Sequence, residues 1–187
     1  MLASMIVFFA LSIPIAVAIG FSGTASLFLF TNSPMIVIPK EMFSAIDKFA
    51  LGAIPFFILA GNLMEVGGIS NRLVNFAKSI VGGLQGGLGM TCVMTCMIFA
   101  AVSGSSVATT FAIGAILIPA LIKHGYPTNF AAALQATSAE LGVIIPPSIP
   151  MILYGVSAEV SIGELFIAGC GPGILIGGGL MLFVWLW

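Results

Sequence analysis

Glu140 to Pro150 sits in an apolar run long enough to cross a membrane, yet no continuous helix can pass through it. Pro146 and Pro147 remove two backbone donors, clash with the preceding turn and push the residue before each toward extended geometry. Carbonyls near Ile144 and Ile145 therefore lose their helical partners. In hydrocarbon, broken backbone persists only inside protein or beside a polar cavity. The expectation is a discontinuous membrane helix at a binding site.

That the run lies in a membrane follows from composition. Of 187 residues, 60% are hydrophobic and 6% charged, with a mean hydropathy of +1.24, whereas soluble domains carry about 25% charged residues. The fold class is all-α and polytopic, with the lipid bilayer as its solvent. Five Lys and Arg against six Asp and Glu give a net charge of −1, so there is no basic surface for nucleic acid. Met1 to Gly20 lacks a basic n-region and runs on into apolar sequence, so it reads as a retained span. Cys92, Cys96, Cys170 and the single His124 have no metal-ligand spacing; the cysteines are expected to pack as small apolar residues.

Taken in order, residues 1–66 read as two transmembrane helices. The first, over 2–30, carries a kink at Pro14; the second covers about 49–66. Between them, 31–48 is a polar connection in which Asn32, Ser33, Pro34 and Pro39 accompany the cancelling charges Lys40, Glu41, Asp47 and Lys48. Residues 67–83 change character. Ile69, Leu73, Val74, Phe76, Ala77 and Ile80 recur at helical spacing opposite Ser70, Asn71, Arg72, Asn75, Lys78 and Ser79, which predicts an arm helix lying in the membrane interface.

Residues 84–156 carry the polar interruptions. Over 88–123, two apolar flanks of about 15 residues, roughly 22 Å each, meet at Ser103-Gly104-Ser105-Ser106; both fall short of the roughly 30 Å hydrocarbon core. The reading is a re-entrant hairpin, the alternative two thin spans joined by an outside turn. Hydroxyls and turn carbonyls offer hard oxygen ligands to a small cation, and helix N-termini offer amides to an anion. Residues 128–156 form the proline-broken span, entered through the small-residue run Ala131 to Ala139. Residues 157–187 hold an acidic connection and a final span whose start is loosened by Gly169, Gly171, Pro172 and Gly173 and whose end, Trp185 and Trp187, suits an interface.

Several segments together carry a resemblance: Ala53 to Gly61, Gly86-Gly87-Leu88-Gly89, Ser103 to Ala108, and Ile145 to Pro150 with Tyr154-Gly155-Val156. In this order the chain resembles, end to end, the large membrane subunit of the tripartite ATP-independent periplasmic (TRAP) transporters, the DctM-like family. The resemblance implies an elevator-type, sodium-coupled symporter of the bacterial inner membrane. Such a permease takes up a small carboxylate, a C4-dicarboxylate or similar organic acid, from a periplasmic solute-binding protein, and works with a small DctQ-like membrane subunit. It further implies a sodium site at Ser103, Gly104, Ser105, Ser106, Gly142 and Pro146, with the substrate near Ser105, Ser106, Thr109 and Ser148. Family members are roughly twice this length and built as two inverted halves, so the chain reads as the N-terminal half, which alone is expected not to transport. The alternative is a non-transporting scaffold subunit or an inactive truncated half.

A serine or aspartyl hydrolase is disfavoured, because His124 lies at the membrane edge away from the serine cluster and the chain has no aspartate pair. Glu140 either bears on cation binding or pairs with Arg72 or Lys123. Arg72, Lys78 and Lys123 flank the hairpin on its open side, which places that mouth and the N-terminus in the cytoplasm, with the 31–48 and 157–164 connections outside. With Cys170 changed to Ser, Arg72→Cys is expected to react with an impermeant maleimide in inverted vesicles only; reaction in right-side-out vesicles overturns this orientation.

Overall fold

Helix is the only regular structure among the residues described, 1–31 and 34–187 of the computed structural model, as expected of backbone that must pair its own polar groups in hydrocarbon. The chain separates into two compact units, Met1–Lys48 and Phe49–Trp187.

In the first unit, α1 (Leu2–Ala10) and α2 (Ile15–Phe30) replace the single kinked span expected over 2–30. Pro14 cannot bond to the turn before it, and Ser12 adopts a left-handed φ of 59°, so the helix stops and restarts. The 31–48 connection also holds more structure than its composition suggested. α3 (Val37–Ile46) occupies much of it, with Pro39 in the first turn, where a missing N–H is tolerated. Asn32 and Ser33 lie outside the described residues.

The second unit opens with a 3-10 turn, Phe49–Gly52, and α4 (Ala53–Val66), together an 18-residue apolar segment long enough to cross a membrane. Gly68, at φ 70°, reverses the chain into α5 (Ile69–Val81). This helix is amphipathic as expected, but its inner stripe is Ser70, Val74, Ala77 and Val81, while Phe76 and Ile80 are half exposed. The stripe packs against α6 (Gly87–Ser103). Next come α7 (Ser106–Lys123), α8 (Thr128–Ala139), α9 (Leu141–Ile144), α10 (Ile149–Ala158) and α11 (Ile162–Leu186).

α6 is the axis of this unit, touched by α4, α5, α7, α8, α9 and α11. Thr91, Val93, Cys96, Phe99 and Ala100 are buried and Met94, Met97 and Ile98 half-buried, so its sequence shows no polar face. α6 and α7 run to 17 and 18 residues, about 26 and 27 Å, longer than the flanks read from sequence. The reason is local: helix resumes at Ser106, so Thr109 and Thr110 belong to α7 and not to the turn. Of these two helices, α7 is long and apolar enough to cross a membrane.

α9 ends at Ile144, and the axis turns by 41° before α10. α11 then runs 25 residues without interruption through Pro172, so the glycines expected to loosen its start serve another purpose. Gly169, Gly173 and Gly177 recur every four residues, and a Cβ at each would press on Ile144 O and Met151, on Ile145, and on Met97 respectively. The stripe lets α11 lie directly on the break. At the far end Val184 rests on Gly86 and Gly89, and Trp187 stacks on Phe130 with ring centroids 4.1 Å apart, a tertiary contact that the sequence reading did not include. Phe56, Leu63, Ile167, Leu175 and Phe183 remain more than half exposed, a surface suited to lipid and not to water.

Gly169→Ala places a methyl 2.6 Å from the Ile144 carbonyl oxygen, whereas Gly171→Ala enters open space. Thermal unfolding in detergent is expected to show Gly169→Ala destabilised by about 1–3 kcal/mol and Gly171→Ala unchanged or stabilised by up to about 1 kcal/mol.

Candidate functional site

Two helix interruptions meet in the second unit. Gly104 closes α6 in a left-handed conformation, φ 61°, and its amide bonds back to Ala100 O at 3.0 Å. Its carbonyl oxygen accepts the Ile149 amide at 3.1 Å, so the first residue of α10 is tied to the turn between α6 and α7. A Cβ at Gly104 would lie 2.6 Å from Pro147 O, and one at Gly142 3.0 Å from the Ser105 carbonyl. Both positions are glycine because backbone fills the space.

Hydroxyls complete the junction. Thr109 is fully buried; its hydroxyl donates to Ser105 O at 2.8 Å and lies 3.2 Å from Ser103 Oγ. With the Thr109 proton so engaged, Ser103 is the donor of that pair and its own lone pairs stay available. Ser105 Oγ caps α7 by accepting the Ala108 amide at 3.3 Å. Ser148, fully buried, donates to Val143 O at 2.6 Å and accepts from the Met151 amide at 3.3 Å, so it satisfies one carbonyl freed by the prolines and caps the helix that follows.

The two helix N-termini are thereby unequal. In α10 the Ile149 amide is taken by Gly104, Pro150 has none, and Met151 bonds to Ser148. In α7 the amides of Ser106 and Val107 have no acceptor within their own helix, and both residues stand partly or fully open. Free amide donors are therefore left at α7 and not at α10. The C-terminal ends of α6 and α9 bring the negative ends of their dipoles to the same junction.

Of the positions read from sequence, Ser103, Gly104, Gly142, Ser148 and Thr109 are buried in this junction, and Ser105 and Ser106 are half-buried at its edge. Pro146 is half-buried in the non-helical segment. Glu140 is exposed at the boundary of α8 and α9. No charged side chain is buried among the described residues, nor do three His, Cys, Asp or Glu gather there, so the junction is built of neutral oxygens and amides.

One polar group escaped the sequence reading. Gln135, fully buried, donates through Nε2 to Thr109 O at 3.4 Å and accepts from the Cys92 and Cys96 thiols at 3.1 and 3.8 Å. The cysteines pack in the core as expected, but they also anchor the amide that supports the first turn of α7. Their i, i+4 spacing opposite a lone glutamine was the available signal. A cavity of about 320 Å³ beside the break is lined by Met97, Ile98, Ala101, Ile145, Cys170 and Ile174. A larger one, about 640 Å³, lies wholly within the first unit, where Glu41 is its only charged lining residue.

Helices with apolar outer faces, whose free backbone groups pair where the turn after α6 meets the break before α10, are those of a multi-pass membrane protein. The family model described as "Tripartite ATP-independent periplasmic transporter, DctM component" matches residues 2–187. The chain is 42% identical over 186 residues to the C4-dicarboxylate TRAP transporter large permease protein DctM of Rhodobacter capsulatus, covering 92% of this chain and 42% of that protein. It is 43% identical over 178 residues to the 2,3-diketo-L-gulonate TRAP transporter large permease protein YiaN of Escherichia coli, covering 95% and 42%. It is also 44% identical over 176 residues to the isethionate TRAP transporter permease protein DctMQ of Oleidesulfovibrio alaskensis, covering 94% and 28%. The chain belongs to the DctM family, multi-pass proteins of the bacterial inner membrane, and spans less than half the length of these relatives.

Gly104→Ala combines a left-handed residue with a backbone clash, whereas Gly125→Ala, at φ 91° in open space, has the torsional cost alone. Denaturant unfolding in micelles is expected to show losses of about 2–4 kcal/mol for the first and about 1–2 kcal/mol for the second.

Proposed function

We propose that this chain contributes one half of the transport site of a TRAP-type permease that couples sodium to the uptake of a small carboxylate. The observation that carries the reading is the junction itself: unpaired α7 amides at the edge, and the Ser103 oxygen with two helix C-termini beneath. The named relatives handle C4-dicarboxylates, 2,3-diketo-L-gulonate and isethionate, all small organic anions, which supports an anionic substrate held near Ser105, Ser106, Thr109 and Ser148.

Coupling follows from charge. No cationic side chain is buried at the junction, so an anion moved out of water there has only helix dipoles and amides to offset its charge. A sodium ion among the neutral oxygens of Ser103, Gly104, Ser105, Ser106, Gly142 and Pro146 supplies the missing positive charge, and each ligand raises the affinity of the other by the same factor. The Gly104–Ile149 bond lets the hairpin, read as re-entrant, and the broken helix move together as an elevator. The family description, tripartite and periplasmic, supports a periplasmic binding protein as donor and a small membrane subunit as partner.

The test is uptake into proteoliposomes by the permease that carries these residues, supplied with its binding protein. Ser103→Val is expected to reduce sodium-dependent uptake by about tenfold or more, equivalent to roughly 1.4 kcal/mol, while Gly171→Ala leaves it unchanged. Equal uptake in sodium and choline media, or full activity of Ser103→Val, would sink the reading.

A further inference from the structure

α5 presents three lanes where a helix on the surface of a soluble domain presents two. Successive residues turn by about 100°, so Ser70, Val74, Ala77 and Val81 form one lane, buried against α6. Ile69, Leu73, Phe76 and Ile80 run along one flank of it, and Asn71, Arg72, Asn75, Lys78 and Ser79 along the other. The polar flank is exposed throughout. The apolar flank is open as well, for Phe76 and Ile80 are 54% and 52% exposed.

The choice of buried lane excludes water on the apolar flank. A rotation of about a quarter turn would bury Phe76 and Ile80 in place of Ser70, whose hydroxyl is buried without a hydrogen-bond partner. In water both features of the observed setting are unfavourable, an unpaired hydroxyl inside and large apolar side chains outside. In contact with acyl chains the exposed Phe76 and Ile80 cost nothing. The 13 residues of α5 reach about 20 Å, too short to cross a roughly 30 Å hydrocarbon core. The helix therefore lies along the membrane boundary, docked sideways on α6, with its apolar flank toward the acyl chains and its polar flank toward the headgroups.

The polar flank also has a sign. Arg72 and Lys78 are its charged residues, and α5 contains no acid. They stand about 9 Å apart along the axis, each on a long stem that carries its charge outward. A zwitterionic surface would accept the apolar flank and leave the two cations without net attraction. An anionic one meets both flanks at once, since basic residues beside a membrane-embedded face attract acidic lipids.

We propose that α5 is a docking surface for anionic phospholipid, with Arg72 and Lys78 pairing headgroup phosphates while Phe76 and Ile80 sit among the acyl chains. Because α5 packs on α6, which leads to the turn at Ser103 to Ser106, the headgroups set the depth at which that turn stands. This surface is independent of the substrate and of the coupling ion.

The experiment is hydrogen exchange, read by mass spectrometry, on the permease that carries these residues in nanodiscs of phosphatidylcholine and of phosphatidylglycerol. A lipid that binds only the docked helix makes its opening rarer. Amides of 69–81 are expected to exchange about fivefold or more slowly in phosphatidylglycerol, with those of α11 unchanged. Arg72→Gln combined with Lys78→Gln is expected to abolish the difference. Arg72→Lys combined with Lys78→Arg is expected to keep it, and both positions are exposed, so neither pair unfolds the protein. Equal exchange over 69–81 in the two lipids, or a difference that survives the double glutamine change, overturns the proposal. So does equal slowing by inorganic phosphate in phosphatidylcholine, which marks a free-anion site. Protection in phosphatidylcholine that appears only with the small membrane subunit present assigns α5 to a protein partner and overturns it too.

Discussion

The hydrogen bond from the Ile149 amide to the Gly104 carbonyl is the constraint on which the second unit turns. A chain that breaks two helices in an apolar setting leaves amides and carbonyls without partners, and each costs several kcal/mol in hydrocarbon. Here the two breaks satisfy each other. The turn after α6 offers a carbonyl, α10 offers an amide, and Ser148 returns its proton to Val143 O. The exchange requires the backbones to touch, which is why Gly104 and Gly142 carry no side chain and why Gly169 brings α11 against Ile144 O.

Around that junction the packing works by close approach. Lipid removes much of the hydrophobic drive that assembles helices in water, so small residues and shape do the selecting. Neighbours approach α6 closely at Gly61, Gly89 and Gly177, and α8 meets α7 at Gly114. Of the polar residues inside, Thr91, Thr95 and Thr109 donate to the carbonyl one turn before them, and Gln135 bonds across to α6 and α7. Neutral polar groups alone line the core, so an ion entering the junction meets oriented dipoles with no competing fixed charge.

Much of this was legible in residue order. The interruption at Pro146 and Pro147 follows from proline's missing donor, and the hydroxyl-rich turn from Ser103 to Ser106 marks the second interruption without any coordinates. α5 was legible as an amphipathic helix, although its buried stripe was misplaced by a fraction of a turn, because a helix of mixed pattern can rotate to suit its neighbour. The extent of α1, α2 and α3 was not. Pro14 can kink a helix or end it, and only the conformation of Ser12 tells which; a polar, proline-bearing connection such as 31–48 can still be helical where proline falls in a first turn. Gln135 stands out in sequence as polar but without a role, because a single polar residue in a small-residue run acquires meaning only from what faces it.

Sequence by itself determined the class of molecule, the order of the helices in the second unit and the two places where helix fails between Gly87 and Ala158, since these depend on hydropathy and on proline and glycine stereochemistry, which are local. Tertiary structure alone decided that the two failures meet, which hydroxyls are spent on capping and which are left free, and that α7 and not α10 keeps open amides. Those are properties of pairs of atoms distant along the chain. No residue's own chemistry states them, because a hydrogen bond is defined by the partner that packing brings to it.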